Sequence, residues 1–207
     1  SSNMNERTFI KSRIEVETLQ PNYIVLGSSR VMQIGSKIIG GELLNLTVSG
    51  SSVEDDVAIW GMAAKKFNPK FVLIGADPWL FNAKSTQDRW STLEADYGLA
   101  LAAMGMRSQN LSVSKDISDN EVNNSLSSLY RYVNISKITA VNDLPAHMDK
   151  IRRDGSRVYN LTYANKLKSE VEAAAVSFAS YAMSPYEYST EAEDTFRRLV
   201  NHISERH

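Results

Sequence analysis

The sequence predicts an α/β fold built on a short parallel sheet, and three observations carry the prediction. Apolar runs over 23–27, 43–48 and 71–75 have the length of strands. Each run ends in small residues: Gly27-Ser28-Ser29, Ser49-Gly50-Ser51 and Gly75-Ala76-Asp77. Between the second and third runs, Val53, Val57, Trp60, Ala64 and Phe67 recur at the spacing of one helical face. Residues 21–80 therefore read as strand, turn, short helix, strand, turn, helix, strand, turn, the alternation expected of a parallel sheet with right-handed crossovers.

The first twenty residues are polar and mixed, an arm or a helix leading into Pro21. Ser51 followed by Glu54 fits a capping box at the start of the 53–67 helix, and Asn68-Pro69 ends it. Asp55 and Asp56 fall in its first turn, where they suit the helix dipole. Phe71-Val72-Leu73-Ile74 is continuously apolar, as in a strand buried on both faces. Residues 93–106 form an Ala/Leu/Met-rich helix weakened by Gly98 and Gly105, followed by a polar loop over 107–120. Val122, Leu126, Leu129, Tyr130 and Val133 mark another helical face. Residues 143–159 read as a loop or hairpin-like excursion with a turn at Asp154-Gly155-Ser156-Arg157. A long Ala-rich helix is expected over 163–183, broken by Ser184-Pro185. Thr190 with Glu193 offers a second capping box, opening a helix with Phe196, Leu199, Val200 and Ile203 on one face. The organisation is an arm or helix over 1–20 and one domain over 21–207. Its core occupies 21–82, and 83–207 form a mainly helical insertion or lid. Three strands are few for such a domain. The chain is expected either to be the N-terminal portion of a larger domain or to be a small sheet buried by its helical second half.

Composition narrows the chemistry. The chain has 207 residues, is 43% hydrophobic and 23% charged, and carries a net charge of −1. A core is within reach, and a bulk electrostatic case for nucleic acid is absent. The chain contains no cysteine, which removes disulfides, thiolate metal sites and a cysteine nucleophile. No apolar run reaches the roughly 18 residues that a membrane span requires. No metal constellation is visible, and Gly27-Ser28-Ser29-Arg30 lacks the Gly-Lys-Ser/Thr ending of a phosphate loop.

In a parallel sheet the three turns share one edge, where open α/β sheets collect chemistry. A serine hydroxyl, glycine N–H donors and the Asp77 side chain brought together there suit acyl transfer: one group attacks a carbonyl while others receive the oxyanion. Each residue also has a plainer reading. Ser28 and Ser29 fit an ordinary strand-to-helix turn with a serine cap. Gly50 fits a left-handed turn, Asp77-Pro78 a simple turn, and Arg30 a surface charge. Trp79 and Phe81 suit packing over the sheet edge. His147 reads as a loop residue.

The blocks Ile24-Val25-Leu26-Gly27-Ser28-Ser29-Arg30, Asn45-Leu46-Thr47-Val48-Ser49-Gly50-Ser51-Ser52 and Val72-Leu73-Ile74-Gly75-Ala76-Asp77-Pro78-Trp79 together resemble the SGNH (GDSL-like) esterase and acyltransferase superfamily. The closer likeness is to its bacterial extracytoplasmic branch, associated with O-acylation of cell-surface polysaccharides. The resemblance covers about residues 20–82. It implies a three-layer sandwich of SGNH-like or flavodoxin-like kind, with an acyl ester or glycan as substrate and no cofactor. It also implies a location in the periplasm or cell envelope, with any membrane tether lying outside this chain.

Carried over by position, Ser29 is the nucleophile. Its own N–H and that of Gly50 supply oxyanion donors, and Arg30 lies beside the site. Asp77 falls where the family commonly has an oxyanion-hole asparagine, so it must be protonated or serve another role. The family's Asp-x-x-His block is absent. The histidines are His147, His202 and His207, and Asp143 precedes His147 by four residues rather than three. A base beyond His207 would complete an enzyme. Without one, the same fold would serve as a binding or scaffold module. A third reading is a nucleotide or phosphate binder that uses the Gly27-Ser28-Ser29-Arg30 turn.

Overall fold

Ile24, Val25 and Leu26 are apolar in succession and fully buried, which places β1 (Tyr23–Leu26) at the centre of the sheet with both faces covered. The structure, a computed structural model, describes residues 5–106 and 149–206. β2 (Leu43–Asn45) and β3 (Phe71–Ile74) flank β1 in the order β2-β1-β3. Both pairings are parallel, with Tyr23 opposite Leu43 on one side and Phe71 on the other. A short helix, α2 (Ser36–Ile39), lies in the first crossover, and α3 (Val53–Lys66) forms the second. The α/β class and the common edge for the three turns follow directly from this topology.

α3 buries Val53, Val57, Trp60 and Ala64, and its C-cap Phe67, against Ile24, Leu26 and Leu44 of the sheet. α1 (Glu6–Val16) joins the same core through Phe9, Ile10 and Ile14, and its N-terminus is capped by the Asn5 side chain. The polar-looking N-terminal segment is thus a helix whose apolar stripe is buried. Odd-numbered strand residues point to the other face of the sheet. There Tyr23 and Phe71 stack at 5.1 Å between ring centroids, and Phe71 is 55% exposed. Burial of β3 on both faces is therefore not found. Among the described residues β3 is an edge strand, paired on one side only, and Val72, Leu73 and Ile74 are half-buried.

The N-cap of α3 is Ser52 rather than Ser51. Ser52 Oγ accepts the Asp55 N–H at 3.3 Å, and the Asp55 carboxylate accepts the Ser52 N–H at 3.0 Å. Both serines have an acid three residues on. The hydroxyl of Ser51 is drawn instead to Asp56, at 2.8 Å. Ser52→Ala is expected to cost about 1 kcal/mol of stability, read as a lower urea midpoint at unchanged m.

After β3 the chain makes two 3₁₀ turns, Pro78–Phe81 and Arg89–Leu93, then α4 (Glu94–Ala103) against α3. β4 (Lys150–Ile151) and β5 (Arg157–Val158) form a small antiparallel hairpin, in line with the hairpin-like reading of this region. The carbonyl of Asp154 in its turn accepts the Asn45 N–H at 2.7 Å, which pins the turn to the outer edge of β2. The long Ala-rich segment divides into α5 (Leu161–Ala164) and α6 (Lys168–Ala182). α7 (Thr190–Ser204) packs on α3 through Leu199 and Ile203. Its cap is Ser189, which accepts the Ala192 N–H, rather than Thr190; Glu193 pairs with Tyr188 and Arg197 instead. Val200 of the expected face is exposed. The expected loop over 107–120 and the helical face of Val122, Leu126, Leu129, Tyr130 and Val133 lie outside the described residues. Among the described residues no helix is long and apolar enough to cross a membrane.

Candidate functional site

The chain leaves β1 toward β2 on one side and returns to β3 on the other. The carboxyl ends of β1 and β3 therefore mark the switch point of the sheet. Gly27, the first residue past β1, has φ +119, and a Cβ there would meet the backbone of Gly75 at 3.0–3.1 Å. Only glycine allows the two strand ends to approach this closely. The Gly75 N–H donates to the Leu26 carbonyl at 3.0 Å, and the Val48 N–H donates to the Gly27 carbonyl at 3.1 Å. The ends of all three strands are thus tied together at one glycine.

Ser28 and Asp77 meet directly. The Ser28 hydroxyl donates to Asp77 Oδ2 and accepts the Arg30 N–H at 3.3 Å. Ser28 is 1% exposed and Asp77 is also buried. Asp77 Oδ1 faces the Arg30 Nε at 3.5 Å. The Arg30 side chain is 63% exposed, and its guanidinium lies 5.0 Å from the Trp79 ring centroid and 5.9 Å from that of Phe178 on α6. Asp77 is thus held as an acceptor by the Ser28 hydroxyl and faces the Arg30 cation. Its carboxylate binds the Ser28 hydroxyl and the Arg30 cation, which supply the donors that a carboxylate requires when buried.

Ser29, next in the turn, is half-buried, and its carbonyl accepts the Tyr159 hydroxyl at 3.2 Å. Burial pushes the Tyr159 phenol above its ordinary value, so it stays a donor. The Ser29 side chain makes no hydrogen bond among the described residues, and neither the Ser29 nor the Gly50 N–H donates to an acceptor there. Gly50 has φ +55, the left-handed turn expected of it. Its carbonyl accepts Gln87 Nε2 at 2.8 Å, and a Cβ at this position would collide with the Arg89 guanidinium. Gly50 sits on the same sheet edge but is not hydrogen-bonded to the first or third turn.

Beneath these turns lie the two carboxyl groups expected in the first turn of the 53–67 helix to suit its dipole. Asp55 and Asp56 are both fully buried. Asp55 is paired with Arg7 of α1. Asp56 accepts the Ser51 hydroxyl on Oδ1, whereas its Oδ2 makes no hydrogen bond of good geometry among the described residues. Burial raises the Asp56 carboxyl to about 8; the charges of Asp55 and Asp77 push the same way, against the Ser51 hydroxyl and the Gly27 N–H. Asn45 was also missed. Its amide N–H groups donate to the carbonyls of Val31 and Ile34 at 3.1 and 2.9 Å, bracing the segment that follows the Ser29 turn.

His147 and His207 lie outside the described residues. His202 Nδ1 accepts the Trp60 indole N–H at 3.0 Å, so that nitrogen is committed to the α3–α7 interface. Among the described residues no group of three or more acidic or histidine side chains is placed to hold a metal. Comparison of the chain with protein-family models, curated proteins and solved structures gives no match.

Proposed function

We propose that the chain carries the nucleophile side of a serine-dependent esterase or acyltransferase of SGNH kind, acting on acyl esters of a cell-surface glycan outside the cytoplasm. The observation that carries the reading is the contrast between neighbouring serines at the switch point. Ser28 is sealed and committed to Asp77, whereas Ser29 is only half-buried and its hydroxyl makes no hydrogen bond among the described residues. Ser29 Oγ attacks the acyl carbon while the N–H groups of Ser29 and Gly50 face the developing oxyanion. The serine proton passes to a base that lies outside the described residues, and the alcohol leaves with a proton. Water or a glycan hydroxyl then takes the acyl group from Ser29. Arg30, held over Trp79, offers a cation to the acceptor or to the leaving group.

Treating the full-length protein with a fluorophosphonate probe tests the reading. Labelling is expected, and Ser29→Ala is expected to abolish it while Ser28→Ala leaves Ser29 reactive at a reduced rate. Labelling that survives Ser29→Ala rules out Ser29 as nucleophile. A second reading, a non-catalytic binding or scaffold module of the same fold, is favoured by the closed Ser28–Asp77–Arg30 set and by the commitment of His202 to Trp60. Hydrolysis of p-nitrophenyl acetate that depends on Ser29 contradicts that second reading.

A further inference from the structure

Asp56 is compensated quite differently from its neighbour. Asp55 receives a two-pronged guanidinium from Arg7, the Ser52 N–H and the Gln87 amide. Asp56, equally buried, receives the Ser51 hydroxyl on one oxygen and the approach of the Gly27 N–H, and its other oxygen is enclosed without a hydrogen bond among the described residues. An ionised carboxylate in that position would be costly, and a neutral carboxyl is the form the surroundings accept. The charged groups that face it are Asp55 with Arg7, from α3 and α1, and Asp77 with Arg30, from the turns after β3 and β1. Asp56 thus lies beneath the Gly27 turn, with Asp77 close enough for the two charges to act on each other.

We propose that Asp56 is a positioning residue of the carboxyl-edge site. Held neutral, it supports the Gly27-Ser28 turn and leaves Asp77 free to carry the negative charge that binds Ser28 and Arg30; when it ionises, it repels Asp77 and loosens that set. The assignment rests on reading the edge as the serine site, but the coupling of Asp56 to Asp77 can be measured without any reaction at Ser29.

The test is a carbon-13 titration of the aspartate carboxyls in the whole chain, wild type and Asp56→Asn, from pH 5 to 9.5. The Asp77 signal in the wild type is expected to move in a step centred near pH 8, together with the Asp56 signal, and the step is expected to vanish in Asp56→Asn. Urea unfolding across the same range supplies the second readout. The folded carboxyl sits at about 8 against an ordinary 3.8, so the folded protein keeps a proton that the unfolded chain has released. The Asp56 contribution to stability therefore declines as pH rises from about 4 to about 8 and is level above that. Asp56→Asn lacks this decline, so its advantage in urea midpoint over wild type grows across that window. Fluorophosphonate labelling of Ser29 is expected to slow above pH 8 in the wild type and not in Asp56→Asn. An Asp77 signal without the step, or midpoints that run parallel in the two proteins, overturns the assignment. Labelling that fails in both proteins while the Asp77 step persists removes the Ser29 reading and leaves the Asp56–Asp77 coupling standing.

Discussion

Arg7→Ala is expected to lower the stability of the chain by about 3–5 kcal/mol. Arg7 is 3% exposed and donates from Nε and a terminal nitrogen to the two oxygens of Asp55 at 2.7 and 2.6 Å. Asp55 is fully buried and also closes the capping box of α3. Removing the guanidinium leaves an ionised carboxylate sealed at the start of the helix that crosses from β2 to β3. The remaining donors are the Ser52 N–H, a long contact from the Ser52 hydroxyl at 3.4 Å and the Gln87 amide, which do not replace a bidentate cation. Urea unfolding reads the loss as a lower midpoint. Adding Asp55→Asn to Arg7→Ala is expected to restore part of it, because the double variant buries no uncompensated charge. A loss under about 1 kcal/mol would mean that the pair behaves as an exposed one.

Trp60→Ala is expected to be of similar size, about 3–5 kcal/mol. Trp60 has no exposed surface and sits mid-helix on α3, where α7 crosses it. The substitution removes a large aromatic surface and strands the Nδ1 acceptor of His202. Trp60→Phe separates the two effects. It keeps most of the buried ring and forfeits the hydrogen bond, a net contribution of about 0.5–1.5 kcal/mol plus a small void. The indole N–H requires an unprotonated Nδ1. Burial, and then the Arg206 cation, hold His202 below its ordinary value of 6.5. The folded form resists protonation that the unfolded form accepts, so this contribution is present above pH 6.5 and declines as pH falls below it. Both variants should flatten that dependence in a series of unfolding curves from pH 7.5 to 5. A Trp60→Ala midpoint within error of wild type contradicts the packing of α7 on α3.

The sheet and its main helix were legible because their signals are local. Ile24-Val25-Leu26 and Phe71-Val72-Leu73-Ile74 are apolar runs, and the 53–67 stripe has helical spacing. Edge position is not local: nothing within Phe71–Ile74 says that β3 pairs on one side only among the described residues. Capping failed by one residue at both helices for a similar reason. Ser51 and Ser52 each have an acid three residues on, and the buried Asp56 claims the Ser51 hydroxyl; at the second helix Thr190 has Glu193 at that spacing, yet Ser189 accepts the Ala192 N–H and Glu193 is taken by Tyr188 and Arg197. Arg7 and Asp55 are 48 positions apart, so their pairing left no mark in either segment. In the candidate site, the turn at Ser29, Gly50, Asp77 and Arg30 was legible as a shared edge. The Ser28–Asp77 contact and the burial of Asp56 were not, since both arise from the close approach of two strand ends at Gly27 and Gly75. The one sequence clue to Asp77 was its chemistry: an acid where an amide was expected had to be neutralised or bound, and here Ser28 and Arg30 bind it.

The most direct test of the central claim is to locate the adduct. The full-length protein is treated with a fluorophosphonate, digested, and sequenced by tandem mass spectrometry across residues 23–52. One phosphonylated residue is expected, Ser29, with Ser28 and Ser51 unmodified because their hydroxyls are buried and donated to Asp77 and Asp56. An adduct on Ser28 or Ser51, or none on this segment in a protein that hydrolyses esters, contradicts it.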